Sequence, residues 1–501
     1  MKKIVSSLAL VVGFGLAACS SDASNDAPAK GGTTPPPTTV PSPVTPSGTL
    51  DALSLPTPPG PGNSMIRTIH ASADAPSVDV YVKGNPAPIA TNIAYGQTSG
   101  WLEVPAGSYI IELRAAPSKA TDPVVYVTAP VVLAEGVLVS ALASGLLASN
   151  DADASFRILP VPERFADVPK DGVKIRVVHA GADAPSVDLD VGNDDPTKPE
   201  ISGLARFATT EGQVSLPANE TLPLGIAAGG VRVTAFAAPK LPSGAQVLVI
   251  ATGLLGRLPR EADGFSLLAI GPNGSVGFIK QNPTIYALHA SPDAPAIDAF
   301  AGDAELVDDL SFGELSMPIQ VAPGAYTLDV FATTAGATRP SGPPAASGTT
   351  GDLVAGERYL AEATGFLGKG GFRIASYRDG FDRDATKAVL RAVHGSPDAP
   401  AVDIGALANG TIGAVLFPDL TFGRASDEKG LAAAPGHLVV GVAPVGTTAP
   451  VASFTIPATS GERAFTVAAG ALAPAAGEAF FRLLVVDTSA TPWTVTPVHP
   501  H

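Results

Sequence analysis

The decamer HASPDAPAID, His289 to Asp298, sets one imidazole and two carboxylates within ten residues around a rigid Ala-Pro step. Imidazole nitrogen with carboxylate oxygen is a ligand set for zinc, manganese or iron, and a His beside an Asp can activate water. The decamer recurs as HASADAPSVD from His70, HAGADAPSVD from His179 and HGSPDAPAVD from His394. The candidate corner residues are therefore His70, Asp74, Asp79, His179, Asp183, Asp188, His289, Asp293, Asp298, His394, Asp398 and Asp403.

The elements that carry these groups limit what they can do together. Each His ends an apolar strand, and counting back by twos gives Thr68 and Ile66, Val177 and Ile175, Ala287 and Ile285, and Ala392 and Leu390. Alternation along a strand puts each His on the face of the expected core. The second Asp follows the opposite parity: Val78, Val80 and Val82 alternate with Asp79, which should project away from the apolar set. The first Asp precedes Ala-Pro and is expected to accept from a backbone N–H two residues on, or from the ring N–H of the nearby His. A structural corner must be rebuilt in every domain, whereas four equivalent active sites in series are unusual. The decamer thus reads as scaffold, with a repeated ion or ligand site as the alternative reading.

Other chemistry is sparse. No Walker loop, G-x-S-x-G elbow or H-E-x-x-H motif is present, and no cofactor is implied. His437, His499 and His501 have no counterparts in the other copies. Arg67, Arg176 and Arg391 stand three residues before their His, with Tyr286 in that place in the third copy, and are expected to flank a solvated strand edge. The acidic stretch from Asp190 through Asp194 and Asp195 offers oxygen ligands for calcium but lacks a complete loop signature, so a solvated turn is the simpler reading.

The four His are 109, 110 and 105 residues apart, a domain-sized period. Further landmarks keep step: a Pro-containing turn at Pro105, Pro217, Pro323 and Pro435; a Gly at Gly145, Gly253, Gly365 and Gly470; and closing strands from Phe156, Phe265, Phe372 and Phe481. Each period contains short runs such as VKIRVVHA, SVDLDV and AQVLVIATG bounded by Gly, Pro or Asn. The expected fold is all-β: a tandem array of four immunoglobulin-like β-sandwich domains over 64–168, 169–280, 281–386 and 387–501, after a disordered N-terminal linker.

Bulk properties agree with that class. Charged residues make up 15% of the 501-residue chain, against 53 Gly and 49 Pro, which favours short strands and punctuated turns. The net charge of −15 argues against nucleic acid as a partner. The single cysteine leaves no intramolecular disulfide and no CxxC site.

Lys2 and Lys3 precede an apolar run from Ile4 to Ala18, too short to span a bilayer as a mature helix. The run closes in Leu16-Ala17-Ala18-Cys19, which resembles the bacterial lipobox; that resemblance implies cleavage after residue 18, acylation of Cys19 and a stable membrane anchor. Ser20 and Ser21 follow the Cys where inner-membrane retention would imply Asp, so the outer membrane is the expected location. Residues 19–63 are rich in Pro, Thr and Ser and read as an extended spacer.

The motif H-x-S-x-D-A-P-x-(V/I)-D after an apolar strand resembles the DUF4397 family, a domain of unknown function in secreted and surface proteins. Copy two departs at Gly181-Ala182, and copy four has Gly395 in place of Ala. The resemblance implies a fold and a location and lends no activity. The expected function is that of a lipid-anchored cell-envelope protein. It would act as a non-catalytic structural or binding module for an envelope polymer or surface protein. The alternative is a metal-binding protein or metal-dependent hydrolase using the His/Asp corners.

Overall fold

The computed structural model describes residues 52–165, 168 and 171–501, so Cys19, the signal segment and the spacer up to residue 51 lie outside the described residues. Every regular element among the described residues is a strand. The first unit contains β1 (Asn63–His70), β2 (Val78–Val82), β3 (Pro88–Ile93), β4 (Leu102–Pro105), β5 (Gly107–Tyr109), β6 (Ile111–Ala115), β7 (Tyr126–Val127), β8 (Val131–Leu133), β9 (Leu138–Ser144) and β10 (Arg157–Glu163). One sheet has the order β10-β9-β1-β4 and the opposing sheet β3-β2-β6-β7, with β5 and β8 forming a small ladder. The chain passes from sheet to sheet between β1 and β2, which is the decamer. This is a tandem β-sandwich architecture, and the same two-sheet plan recurs in the three later periods.

In every unit the strand that ends in the decamer His is paired in parallel with a later strand. β1 pairs with β9, Gly172–His179 with Gln246–Thr252, Thr284–His289 with Arg358–Thr364, and Ala388–His394 with Arg463–Ala469. Strands buried on both faces favour such continuous apolar runs. On β1, Ile66 faces the sandwich core with Val78, Val80, Leu113 and Val139, while Ile69 faces the other way. The same parity holds for Ile175 and Val177 against Val178, and for Leu390 and Ala392 against Val393.

The outward faces of these sheets are covered by each other. Ile69, Leu142 and Val161 of the first unit pack on Val178, Ile250 and Leu268 of the second. Leu288 and Leu360 of the third pack on Val393, Phe465 and Leu484 of the fourth. The four units therefore form two face-to-face pairs. Matching cross-unit bonds mark the relation, since Thr252 Oγ1 donates to the Ala71 carbonyl at 2.7 Å and Thr364 Oγ1 to that of Gly395 at 2.6 Å. Arg157 lies over Phe207, Arg373 over Phe422 and Arg482 over Phe312, each across a unit boundary, at 4.1, 4.4 and 5.3 Å from the ring centroid.

This arrangement corrects the solvated edge expected for Arg67, Arg176, Arg391 and Tyr286. Their strand is central and its second face is an interface, so Arg67 is 1% and Arg391 7% exposed. Arg67 donates to the Gly271 and Pro272 carbonyls, Arg391 to that of Arg378, and Arg176 to that of Pro162, in each case in the neighbouring unit of the pair. Tyr286 instead stacks on Trp493 of the fourth unit, with ring centroids 4.2 Å apart and planes at 7°. The spacer also ends earlier than its composition predicts. Ala52 is 4% exposed, its carbonyl accepts from the Asn273 N–H at 3.0 Å, and the chain is docked on the second unit from there.

Glu362 places a carboxyl inside the interface between the third and fourth units. It is fully buried where the first, second and fourth units carry Leu142, Ile250 and Val467. Its neighbour explains the glycine that replaces alanine in the fourth decamer, because a Cβ at Gly395 would lie 1.9 Å from Glu362 Oε1. Burial first, opposed by the Tyr377 hydroxyl, the Thr364 hydroxyl and the Arg373 charge, pushes the Glu362 carboxyl up to about 7. A raised native pKa means that the folded chain holds this proton over a pH range in which the unfolded chain has lost it. Glu362 should thus contribute a loss of stability to the third and fourth units as pH rises from about 4.5 to about 7, with a slope of its own approaching about 1.4 kcal/mol per pH unit, read as the difference between the native chain and Glu362→Gln. Urea unfolding followed by Trp493 fluorescence in a Trp101→Phe background measures this, and Glu362→Gln should abolish that component.

Candidate functional site

The repeated corner is built from the strand upward. Its parity turns each His into the sandwich, where His70, His179 and His289 are 0% and His394 1% exposed. The ring Nε2 then meets the carbonyl of the decamer proline, at 3.0 Å for Pro76, 2.7 Å for Pro185, 2.9 Å for Pro295 and 2.9 Å for Pro400. A carbonyl only accepts, so Nε2 carries the proton and Nδ1 is left as the acceptor. In the second unit Nδ1 accepts from the Gly181 N–H at 3.3 Å, while Nδ1 of His70, His289 and His394 has no hydrogen-bond partner. Burial, the leading cause in all four, lowers the imidazole pKa and keeps the rings neutral.

The first Asp does not make the local turn expected of it. Two residues on from Asp74, Asp183, Asp293 and Asp398 stands the proline, which has no N–H to give. The carboxylate instead reaches across the unit to the loop after the landmark glycine. Asp74 accepts from Leu147 and Ala148 N–H at 2.8 Å each, and Asp183 from Leu255 at 2.9 Å. Asp293 accepts from Leu367 and Gly368 at 2.6 and 2.8 Å, and Asp398 from Leu472 and Ala473 at 2.8 Å each. The expected bond from the His ring is replaced by the proline carbonyl. The glycine is required because its φ is positive, +77° at Gly145 and +93° at Gly365, and a Cβ there would strike a carbonyl at 2.3 and 2.2 Å.

A serine missed at the sequence level completes the lock. Ser72, Ser291 and Ser396 donate to the carbonyls of Gly145, Gly365 and Gly470 at 2.7, 2.6 and 2.8 Å. The signal was the third letter of the motif. Gly181 takes this place in the second unit, where an added Cβ would meet the His179 ring at 3.3 Å and Phe265 at 3.4 Å.

The second Asp does face away from the core, yet it is buried under a connection rather than solvated. Asp79 is 4%, Asp298 0% and Asp403 9% exposed. Each carboxylate accepts from the N–H of a residue with positive φ: Asn92 (+52°), Gly203 (+62°) for Asp188, Asp309 (+48°) and Asp419 (+48°), at 2.7 to 3.0 Å. A register shift falls at the same place in each unit, between the residues flanking this Asp. The second Asp therefore holds a β-bulge.

His, first Asp and second Asp are thus spent on three different partners and do not converge. Among the described residues, the one group of three potential ligand atoms within 4.8 Å of each other is Asp298, Glu305 and Asp308, which contains no decamer His. The acidic turn at Asp190 also disperses. Asp190 pairs with Arg232 at 3.4 Å, and Asp195 accepts from Thr197 and pairs with Lys198 at 3.0 Å. His437, His499 and His501 are exposed.

Fold and corner together define an array of β-sandwich domains, each locked by a buried His and two carboxylates. The family described as Domain of unknown function (DUF4397) matches residues 64–190 and 283–405. These are two stretches rather than the four expected, and each runs from one decamer through the next, so that all four decamers fall within them. No curated protein matches the chain. A solved structure described as The Bacillus anthracis TIE protein aligns over 80% of this chain and 67% of that one, at 8% identity and a TM-score of 0.13, which carries no argument about fold.

Two outcomes follow for the corner. Each His has a lowered native pKa, so the unfolded chain binds protons that the native rings refuse; stability is full above the unfolded value of about 6.5 and falls as pH drops through it. Acid titration of the urea midpoint should show this loss, reduced in a His289→Gln variant that is already less stable at pH 8. Asp293→Ala strands two N–H groups and should cost about 1–3 kcal/mol in urea unfolding, whereas Asp308→Ala, outside the lock, should cost far less.

Proposed function

We propose that this chain is a non-catalytic envelope protein, tethered through an acylated Cys19, that holds an array of rigid β-sandwich units as a structural or binding module. The observation that supports this reading is that the three chemical groups of the repeated corner are directed to three separate internal partners: Nε2 to the proline carbonyl, the first Asp to the glycine loop and the second to the bulge. Groups held apart in this way do not converge on a common point where a substrate or ion could be shared between the His and both carboxylates. Linked units raise the effective concentration for a repetitive partner, an envelope polymer or a surface protein, and the acidic balance disfavours nucleic acid.

Cell fractionation tests the tether. The native chain should partition with membranes and Cys19→Ala should release it, and an unchanged distribution would overturn the anchor. Metal analysis of the purified chain tests the corner. Substoichiometric metal and a melting temperature insensitive to chelator are expected, whereas stoichiometric metal lost on His289→Gln would establish the corner as a metal site.

A further inference from the structure

A cavity of about 810 Å³ opens where the second, third and fourth units meet, and its charged lining is Arg232, Arg257, Arg358, Arg383 and Arg463. No Asp, Glu or Lys lines it, in a chain whose acidic residues outnumber its basic ones by 46 to 31. Arg358 and Arg463 occupy the same strand position in the third and fourth units, where the first two units have Leu138 and Gln246. Face-to-face pairing brings these two together: both donate to the Thr488 carbonyl, at 3.1 and 3.3 Å.

Like charges do not gather in a half-buried site without compensation. Part of it is present. Asp379 bonds Arg358 and lies 3.7 Å from Arg260, Glu261 pairs with Arg383 at 2.7 Å, Asp263 with Arg257 at 3.1 Å and Asp190 with Arg232 at 3.4 Å. Arg463 is left over. It is 8% exposed, its Nη2 reaches only the Thr488 and Ser489 carbonyls, and its Nε has no hydrogen-bond partner. Burial, and then the charges of Arg358, Arg383 and Arg260 against that of Asp379, weigh on its protonated form. A buried guanidinium with an unpaired Nε–H, beside a second guanidinium whose Nε and Nη2 are held by Asp379, is the donor type that pairs with the oxygens of a carboxylate or phosphate.

We propose that this three-unit cavity is a binding site for a multivalent oxyanion of the phosphate or polycarboxylate class, seated on Arg358 and Arg463 and reached from solvent past Arg232 and Arg257. The site does not depend on the lipid tether, so its failure and that of the envelope reading are separate results.

Titration of the soluble Cys19→Ala chain with pyrophosphate, and separately with citrate, at constant ionic strength tests the assignment. Calorimetry should give saturable one-to-one binding, with a matching rise in melting temperature, and preference for one of the two anions identifies the class. Arg463→Gln should weaken binding at least about tenfold, the loss of one charge-assisted bond. Because Arg463 is buried, the exposed Arg257→Gln, whose partner Asp263 is itself partly exposed, serves as a second variant that should weaken binding with little change in the melting temperature of the free chain. Absence of saturable binding at millimolar anion, or equal binding by native chain and both variants, would overturn the proposal.

Discussion

A single hydrogen bond, from a buried imidazole to the carbonyl of a proline six residues later, sets the geometry from which each unit is built. It fixes the angle at which the chain leaves the first strand and enters the opposing sheet, because both ends of the bond lie on the crossing itself. The proline contributes by what it lacks. With no N–H of its own, it leaves the preceding carboxylate unsatisfied locally and sends it to the glycine loop more than seventy residues away. One corner thereby ties the first and second strands of a sandwich to the strand that pairs in parallel with the first, which is a reason for its His, Asp and Pro to recur in all four copies.

The second constraint is that the His strand has two buried faces. An ordinary sandwich strand alternates core and solvent, but here the outward positions Ile69, Val178, Leu288 and Val393 carry apolar side chains that find their partners in the adjacent unit. The pairing buries Arg67 and Arg391 with their guanidiniums capping carbonyls at the ends of the partner's strands. The first and second units, and the third and fourth, are in this sense halves of one body.

Much of the fold was legible because it rests on periodicities of two and of about one hundred residues. The inward parity of His70 and the outward parity of Asp79 followed from counting along a strand. What parity could not supply was depth: it gave the direction of Asp79 but not the bulge that covers it, since a bulge depends on the partner strand. The local turn assigned to Asp74 failed for a reason present in the sequence, the proline at the required donor position. The Arg positions were misread because a strand flanked by polar residues looks half-solvated until its second sheet neighbour is known. No pattern within one unit could disclose the arginine cavity, whose walls come from Arg232, Arg358 and Arg463 in three different units.

Two differences among the copies lie where the units touch. The corner keeps its His, Asp and Pro in all four, yet the interface position held by Leu142, Ile250 and Val467 becomes Glu362, and the strand start held by Leu138 and Gln246 becomes Arg358 and Arg463. Both substitutions place an ionisable group in low-dielectric surroundings and destabilise the bare fold, one by burying a carboxyl that must hold its proton, the other by apposing two cations. The third and fourth units thus carry costs that the first two avoid with apolar or neutral side chains at the same positions. In this chain these costly groups lie between the repeated units rather than in the repeated motif, which is built from neutral rings and carboxylates satisfied by backbone N–H groups.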